Sequence, residues 1–344
     1  MLSRPVAAPL CPAKLLAGLE RASGLLLAVS GGPDSLALLG LADQWRHEQA
    51  RAVPSVFVAS VDHGLRREAR AEAEAVAGLC AVRGLPHAIL TWEGEKPAAG
   101  LPAAARAARY RLLGEHARRL GADTIVTAHH ADDQAETVLM RLLRGSGPAG
   151  LAGMARICRA PWPDGEGLWL ARPLLGVAKA DLVDFCGTQN LAFFEDPSNA
   201  DLAYRRPQLR RLANLLEREG FGRAELNRLA ARAARAEKAL AAAIAAEIGN
   251  LPARRARGSF EAPAANVRAL PEEALVRLLG MEIARIAKGS APRLEQIEQI
   301  AANLKNSAQA KTAFAATLGG AVIKLDANRL ILKQEIPRKG TSPG

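Results

Sequence analysis

Residues 24–35 read Gly-Leu-Leu-Leu-Ala-Val-Ser-Gly-Gly-Pro-Asp-Ser, an apolar run that passes directly into a tight polar turn. The run Leu25–Val29 has the composition of a strand, and an apolar helical pattern begins at Ser35 and continues to Gln49. Gly31 and Gly32 let the backbone curl and turn successive N–H groups inward. The helix that follows aims the positive end of its dipole at the same point, so an anion is expected there. Ser30 and Ser35 can add hydroxyl donors, and Asp34 can take a magnesium ion bound to the same phosphates. A tight turn with a Ser or Asp helix cap would use the same residues. The turn lacks the Gly-Lys-Ser ending of a Walker A loop and the G-x-G-x-x-G spacing of a dinucleotide site.

Working outward, Val56–Val61, His87–Leu90 and Thr124–Ala128 also read as strands. Arg67–Arg83 and Ala103–Leu120 carry apolar residues at helical spacing between them. Such alternation predicts an α/β fold, a doubly wound parallel sheet with helices on both faces. In these sheets ligands sit beyond the carboxyl ends of the strands. Past Leu170 the pattern changes. Asp181–Gly187 reads as a short helix, and Phe193–Asn199 as a polar connection. Residues 205–247 are basic and Ala-rich, with Leu209, Leu212, Leu215, Leu216, Leu226 and Leu229 expected on one side. Pro271–Lys288 and Pro292–Lys305 read as helices, each with Pro near its start. Thr312–Thr317, Ala321–Leu325 and Arg329–Lys333 read as strands, turned by Gly319-Gly320 and Asp326-Ala327-Asn328. The expected organisation is a catalytic domain over 1–204, a basic helical linker over 205–247, a smaller α+β domain over 248–336 and a tail over 337–344.

The 344 residues suffice for a sizeable core, and the composition is that of a globular protein: 49% hydrophobic, 24% charged. No stretch approaches the 18 or so consecutive apolar residues of a membrane span. Cys11, Cys80, Cys158 and Cys186 are widely spaced, with no C-x-x-C pair, so neither a zinc nor an iron–sulfur site is indicated. Scattered cysteines without a signal peptide fit a reducing cytoplasm. The net charge of +11 is unevenly placed: residues 1–199 hold 21 basic and 21 acidic side chains, residues 200–344 hold 25 and 14. That asymmetry points to a neutral module joined to one that meets a polyanion. An Arg-rich habit is the alternative, since 36 of the 46 basic residues are Arg. With aromatics at 4%, nucleic acid would be held through phosphates and shape rather than base stacking.

Three further clusters stand out, two at predicted strand ends and one early on a helix. Val61-Asp62-His63-Gly64-Leu65-Arg66 closes the second strand, opposite the first loop and well placed for the adenosine part of a nucleotide. Arg106 and Arg109 share a helical face, with Tyr110 following, and could neutralise a triphosphate, grip a nucleic-acid phosphate or form an exposed pair. His129-His130-Ala131-Asp132-Asp133-Gln134-Ala135-Glu136 opens a helix, with Asp133 and Glu136 on one face. Acids at a helix start also complement its dipole. On counting alone the cluster could hold a metal, and its hard oxygen donors favour Mg²⁺ over zinc.

Ser30 to Ser35 matches the SGGxDS signature of the PP-loop ATP pyrophosphatases, which cleave ATP between the α and β phosphates. Together with VDHGLR, RAARY, HHADDQAET, Arg144-Gly145-Ser146-Gly147, Gly153-Met154, Arg172-Pro173-Leu174-Leu175 and Glu195-Asp196-Pro197-Ser198-Asn199, it resembles the tRNA(Ile)-lysidine synthetase family. Order and spacing agree through about residue 215, with Pro148 and Pro207 as departures from the usual pattern. The resemblance implies adenylation of the wobble cytidine of a CAU-anticodon tRNA(Ile), followed by attack of free L-lysine. It implies ATP binding by Ser30, Gly31, Gly32, Pro33, Asp34, Ser35, Asp62 and His63, and Mg²⁺ on Asp34 and Asp133. Asp34, Arg109, Asp133 and Glu136 would be catalytic, with Glu136 or Asp133 handling the lysine amine. Arg106, Arg109, Arg205, Arg206 and Arg210 would contact phosphate or tRNA. No membrane partner is expected, and homodimerisation stays open. A tRNA 2-thiolation enzyme is the nearest rival, disfavoured by the spacing of the cysteines. A non-catalytic basic RNA-binding protein would explain the charge, but not the carboxylates and arginines at every strand end.

Overall fold

The computed structural model describes residues 9–48, 53–66, 68–194, 212–213, 215–287, 292–309 and 313–335. The chain divides into two compact units, Met1–Arg144 with Gly150–Ala231, and Gly145–Ala149 with Arg232–Gly344.

The first unit is a doubly wound α/β layer. Its order is α1 (Pro12–Leu15), β1 (Gly24–Ala28), α2 (Pro33–Glu48), β2 (Ser55–Asp62), α3 (Glu68–Val82), β3 (His87–Thr91), α4 (Leu101–Arg119), β4 (Thr124–Val126) and α5 (Ala131–Leu142). A short α6 (Pro148–Leu151), then β5 (Ile157–Arg159), β6 (Trp169–Ala171) and α7 (Lys179–Thr188) follow. The strand order is β3-β2-β1-β4-β6-β5, parallel except for β5, which runs antiparallel to β6. β1 lies centrally because Leu25, Leu26 and Leu27 are all fully buried, as a strand covered on both faces requires. Alternate side chains go to opposite faces: Leu25 and Leu27 join the core of α2 and α7, Leu26 that of α4. α2 is buried almost all round. Gly40 admits α7 against it, since a Cβ there would lie 3.0 Å from Phe185 Cε1. The strand order reverses at β1, with β2 on one side and β4 on the other, so the ends of these three strands open the crevice where ligands bind.

β5 and β6 were not anticipated, because three residues are too few to display a strand period. The expected apolar stripe over 205–247 needs correction. Leu212, Leu216 and Leu229 pack beside Leu226 against Val138 and Leu139 of α5, but Leu215 is 58% exposed. Gly220, at φ 78°, separates that segment from α8 (Arg223–Gly249), so the leucines do not follow one helical face. Leu209 lies outside the described residues, as do Glu195–Asn199, Arg205, Arg206, Pro207, Arg210 and the tail over 337–344.

The second unit is α+β. β7 (Arg254–Ala256), β8 (Ser259–Pro263), α9 (Ala264–Ala269), α10 (Glu272–Ile286), α11 (Leu294–Gln309), β9 (Phe314–Leu318), β10 (Ala321–Leu325) and β11 (Arg329–Gln334) follow α8. The sheet, in the order β7-β8-β11-β10-β9, is antiparallel throughout. Gly319 and Gly320, both at positive φ, make the two-residue turn that joins β9 to β10, since both central positions demand left-handed backbone. Asp326 Oδ1 accepts from the N–H groups of Asn328 and Arg329 and closes the next turn. Glu282 is buried on α10 and receives Arg255 at 2.6 Å and Arg285 at 2.7 Å, which ties the β7–β8 hairpin to the helix. Among the described residues no helix is long and apolar enough to cross a membrane.

Candidate active site at the strand ends

The Ser30–Ser35 loop is held from within. The Ser30 N–H donates to Ser35 Oγ (3.1 Å), and that hydroxyl donates to the Gly32 carbonyl (2.9 Å). Ser35 therefore shapes the loop, while Ser30 stands exposed at its edge. Gly31 has φ 87°, and its carbonyl accepts the Phe194 N–H at 3.0 Å. A Cβ on Gly31 would meet Phe194 Cδ2 at 3.2 Å. A Gly31→Ala protein is accordingly expected to lose about 1–2 kcal/mol from the left-handed backbone alone and to show a raised KM for ATP. Urea denaturation and ATP kinetics check this, and unchanged values in both would mean the positive φ is not required.

A cavity of about 690 Å³ opens over this loop. Ser30, Gly32, Asp34, Ser35, His63, Arg109 and Asp133 line it, so α2, β2, α4 and α5 deliver side chains to one place. Gly31, Pro33, Asp62, Arg106 and Glu136 do not line it. Asp62 is buried and accepts the Gly64 N–H at 2.8 Å, which builds the turn that presents His63. The arginine pair divides. Arg109 faces the cavity, with its Nε buried and without a hydrogen-bond partner among the described residues. Arg106 is exposed and donates to the Tyr110 hydroxyl at 3.3 Å. Both guanidiniums lie over the Tyr110 ring, at 5.0 and 5.6 Å. Burial, then the Arg109 charge, lowers the His63 pKa and favours its neutral form. Glu136 is half-buried, one turn past Asp133 on α5.

His130 is the centre that the sequence reading passed over. It is buried at the N-cap of α5, with Nε2 3.4 Å from both Asp34 Oδ2 and Asp133 Oδ2, and Nδ1 3.4 Å from Asp132 Oδ2. Burial disfavours the imidazolium, but hydrogen bonds donated to Asp132 and Asp34, with the negative charges of Asp133 and Asp34, outweigh it and raise the pKa to about 9. In the neutral ring Nδ1 accepts the Asp132 N–H at 3.2 Å; protonation exchanges that cap for the carboxylate beside it. Asp132 itself is structural. Burial opposes its charge, yet His130, the Lys179 N–H and Arg223 hold its carboxyl well below the usual range. The spacing of His130 and Asp133, three apart on a helix start, was the available signal. Two more features were missed. Arg66 pairs with Glu72 through two contacts of 3.4 and 3.2 Å at the cavity wall. Gln134 clamps the Met154 backbone, donating to its carbonyl and accepting its N–H at 3.0 and 2.8 Å.

A family profile described as a PP-loop domain matches residues 11–216. Among solved structures, the U34-tRNA thiolase NcsA from Methanococcus maripaludis, described with its 4Fe–4S cluster, shares the fold. The TM-score is 0.53, with 17% identity over 64% of this chain and 77% of that one. Fold, loop and profile define a PP-loop, ATP-utilising enzyme. Relatives of nearly the same length are named tRNA(Ile)-lysidine synthase. One from Rhodopseudomonas palustris is 47% identical over 340 residues, 95% of each chain. Another, from Methylobacterium sp. strain 4-46, is 48% identical over 328 residues, covering 93% of this chain and 92% of that one. The chain belongs to the tRNA(Ile)-lysidine synthase family and is an enzyme of the ligase type.

Proposed function

We propose that this enzyme joins free L-lysine to C2 of the wobble cytidine in a tRNA(Ile) with a CAU anticodon, and so changes its codon reading from AUG to AUA. The observation that carries the reading is the meeting of the Ser30–Ser35 loop, Asp34, Arg109 and Asp133 around one cavity, in a chain of this family. ATP would lie with its pyrophosphate moiety on the loop and its adenosine toward His63. The C2 carbonyl oxygen of the cytidine attacks the α-phosphorus, the α–β phosphoanhydride breaks and pyrophosphate leaves. The ε-amine of lysine then attacks C2, gives up a proton, and AMP departs with the C2 oxygen.

Magnesium fits the donor set. Asp34 Oδ1 is buried without a hydrogen-bond partner among the described residues, and Asp133 lines the same cavity. Mg²⁺ commonly takes one or two carboxylates and leaves its remaining positions to phosphates and water. Bound there, it would supply positive charge for the phosphates. Arg109 adds to that charge from α4. Asp133 or Glu136 would orient or deprotonate the amine, and Asp133's place on the cavity wall supports the former. Arg106, Arg205, Arg206, Arg210 and the basic surplus beyond residue 200 would hold tRNA phosphates, with affinity that falls steeply as salt rises. The cytoplasm would supply ATP, lysine and tRNA.

The test is radiolabelled lysine incorporation into CAU-anticodon tRNA(Ile), beside the methionine tRNA that shares the anticodon. Labelling of the isoleucine tRNA alone, with pyrophosphate release, is expected. Equal labelling of both would remove the specificity, and release of pyrophosphate without lysine transfer would remove the reaction.

A further inference from the structure

We propose that Tyr110, backed by Trp162, is the positioning residue for Arg109: its ring steadies the guanidinium without neutralising it, so that the full charge faces the nucleotide. The inference rests on the assignment of Arg109 to the phosphates of ATP. Arg109 lines the cavity, and among the described residues it forms no ion pair and its buried Nε has no hydrogen-bond partner. What lies beside it is the ring of the next residue, with the guanidinium carbon 5.6 Å from the Tyr110 centroid. Arg106, one turn earlier, lies 5.0 Å from the same centroid and donates to the Tyr110 hydroxyl at 3.3 Å.

The ring is itself held from a distant part of the chain. Tyr110 is 4% exposed and stacks on Trp162 of the β5–β6 connection, with centroids 4.6 Å apart and planes inclined by 20°. Gly114, one turn further along α4, brings that connection close, since a Cβ there would lie 3.3 Å from Leu168 Cδ1 and 3.5 Å from Trp162 Nε1. Arg118, a turn beyond again, donates to the Asp164 and Glu166 carbonyls and pins the same connection to α4. Tyr110, Gly114 and Arg118 stand four residues apart, so one stripe of the helix carries the whole attachment. A carboxylate would hold Arg109 more firmly, but it would cancel the charge that the site uses. An aromatic face attracts the cation through its quadrupole and leaves that charge in place. Beside a triphosphate an uncancelled, fixed charge is the useful one, because it needs no rearrangement when the phosphates react.

The test is a double-mutant cycle in the full-length protein, read as the Kd of a non-hydrolysable ATP analogue by calorimetry, with pyrophosphate release followed in parallel. Tyr110→Phe keeps the ring, and the hydroxyl it lacks serves Arg106, so this variant should stay within about 2-fold of wild type. Tyr110→Leu keeps the apolar bulk and removes the ring, and should weaken the analogue roughly 3- to 30-fold, the range for a cation–π contact. Trp162→Leu should act in the same direction, more weakly. Because Trp162 is only half-buried, it tests the platform even where Tyr110→Leu folds poorly. In an Arg109→Ala background neither leucine variant should cost anything further, as a residue that acts through Arg109 requires. Losses that multiply in the double variants, or a phenylalanine variant as impaired as the leucine one, overturn the inference and leave Tyr110 a packing residue. If Arg109→Ala binds the analogue as tightly as wild type, the phosphate assignment falls and the platform with it. Failure of lysine transfer in the wild type, with the Tyr110–Arg109 coupling as stated, would instead refute the functional reading and leave the platform standing.

Discussion

Asp34→Ala is expected to lower ATP-dependent lysine transfer by roughly 10²–10³-fold or more, the range lost when one preorganised charge-stabilising group leaves a reaction centre. Asp34 stands in the first turn of α2, directly on the loop, with Oδ1 buried without a hydrogen-bond partner among the described residues. Its other oxygen lies 3.4 Å from His130 Nε2. Removal takes away a hard oxygen donor at the loop and one of the carboxylates that raise the His130 pKa. The fold should hardly notice, because an acid in a helix's first turn contributes only about 0.3–1 kcal/mol. Pyrophosphate release and lysine incorporation should therefore fall together while the thermal transition stays near its wild-type position. Turnover at the wild-type rate would take Asp34 out of the reaction.

Trp45→Ala is expected to have the largest effect on stability, about 3–5 kcal/mol. Trp45 is fully buried in the C-terminal part of α2, in the core that α2 shares with α7, so its loss leaves a cavity that close-packed neighbours cannot fill. A domain is commonly stable by about 5–15 kcal/mol, so the first unit would lose a large share of its margin. Trp45→Phe makes the discriminating comparison. Trp45 Nε1 is buried with no hydrogen-bond partner among the described residues, and an unsatisfied donor costs about 1–3 kcal/mol. Phenylalanine removes that penalty along with some volume and should cost about 1 kcal/mol or less on balance. Denaturant midpoints decide between them. Equal destabilisation by both variants would mean that Nε1 does have a partner, such as water.

Much of the first unit was legible because its signals are local. The apolar run Leu25–Val29 reads as a strand, and the Gly31-Gly32 turn with a helix behind it reads as a place where an anion is expected. The corrections came where periodicity carries no information. Ser35 was read as a donor to phosphate, but its hydroxyl is committed to the Gly32 carbonyl. Arg106 and Arg109 share a helical face by spacing, yet one faces the cavity and the other is exposed, because the wall of the cavity cuts across that face. The leucines at 212–229 read as one stripe until Gly220 interrupted the helix.

The amino-acid sequence by itself determined the strand–helix alternation of the first unit, the tight glycine turn between its first strand and helix, and the polar clusters that follow. These follow from side-chain period and backbone preference, which act over a few residues. Only the tertiary structure decided which polar groups meet and what state each one takes. Asp132 is held by Arg223 from 91 positions away, and Thr127 finds the Ala171 carbonyl 44 positions on. A hydrogen bond or a buried charge depends on distances of a few ångströms, and those are set when the sheet closes, long after local pattern has ceased to speak.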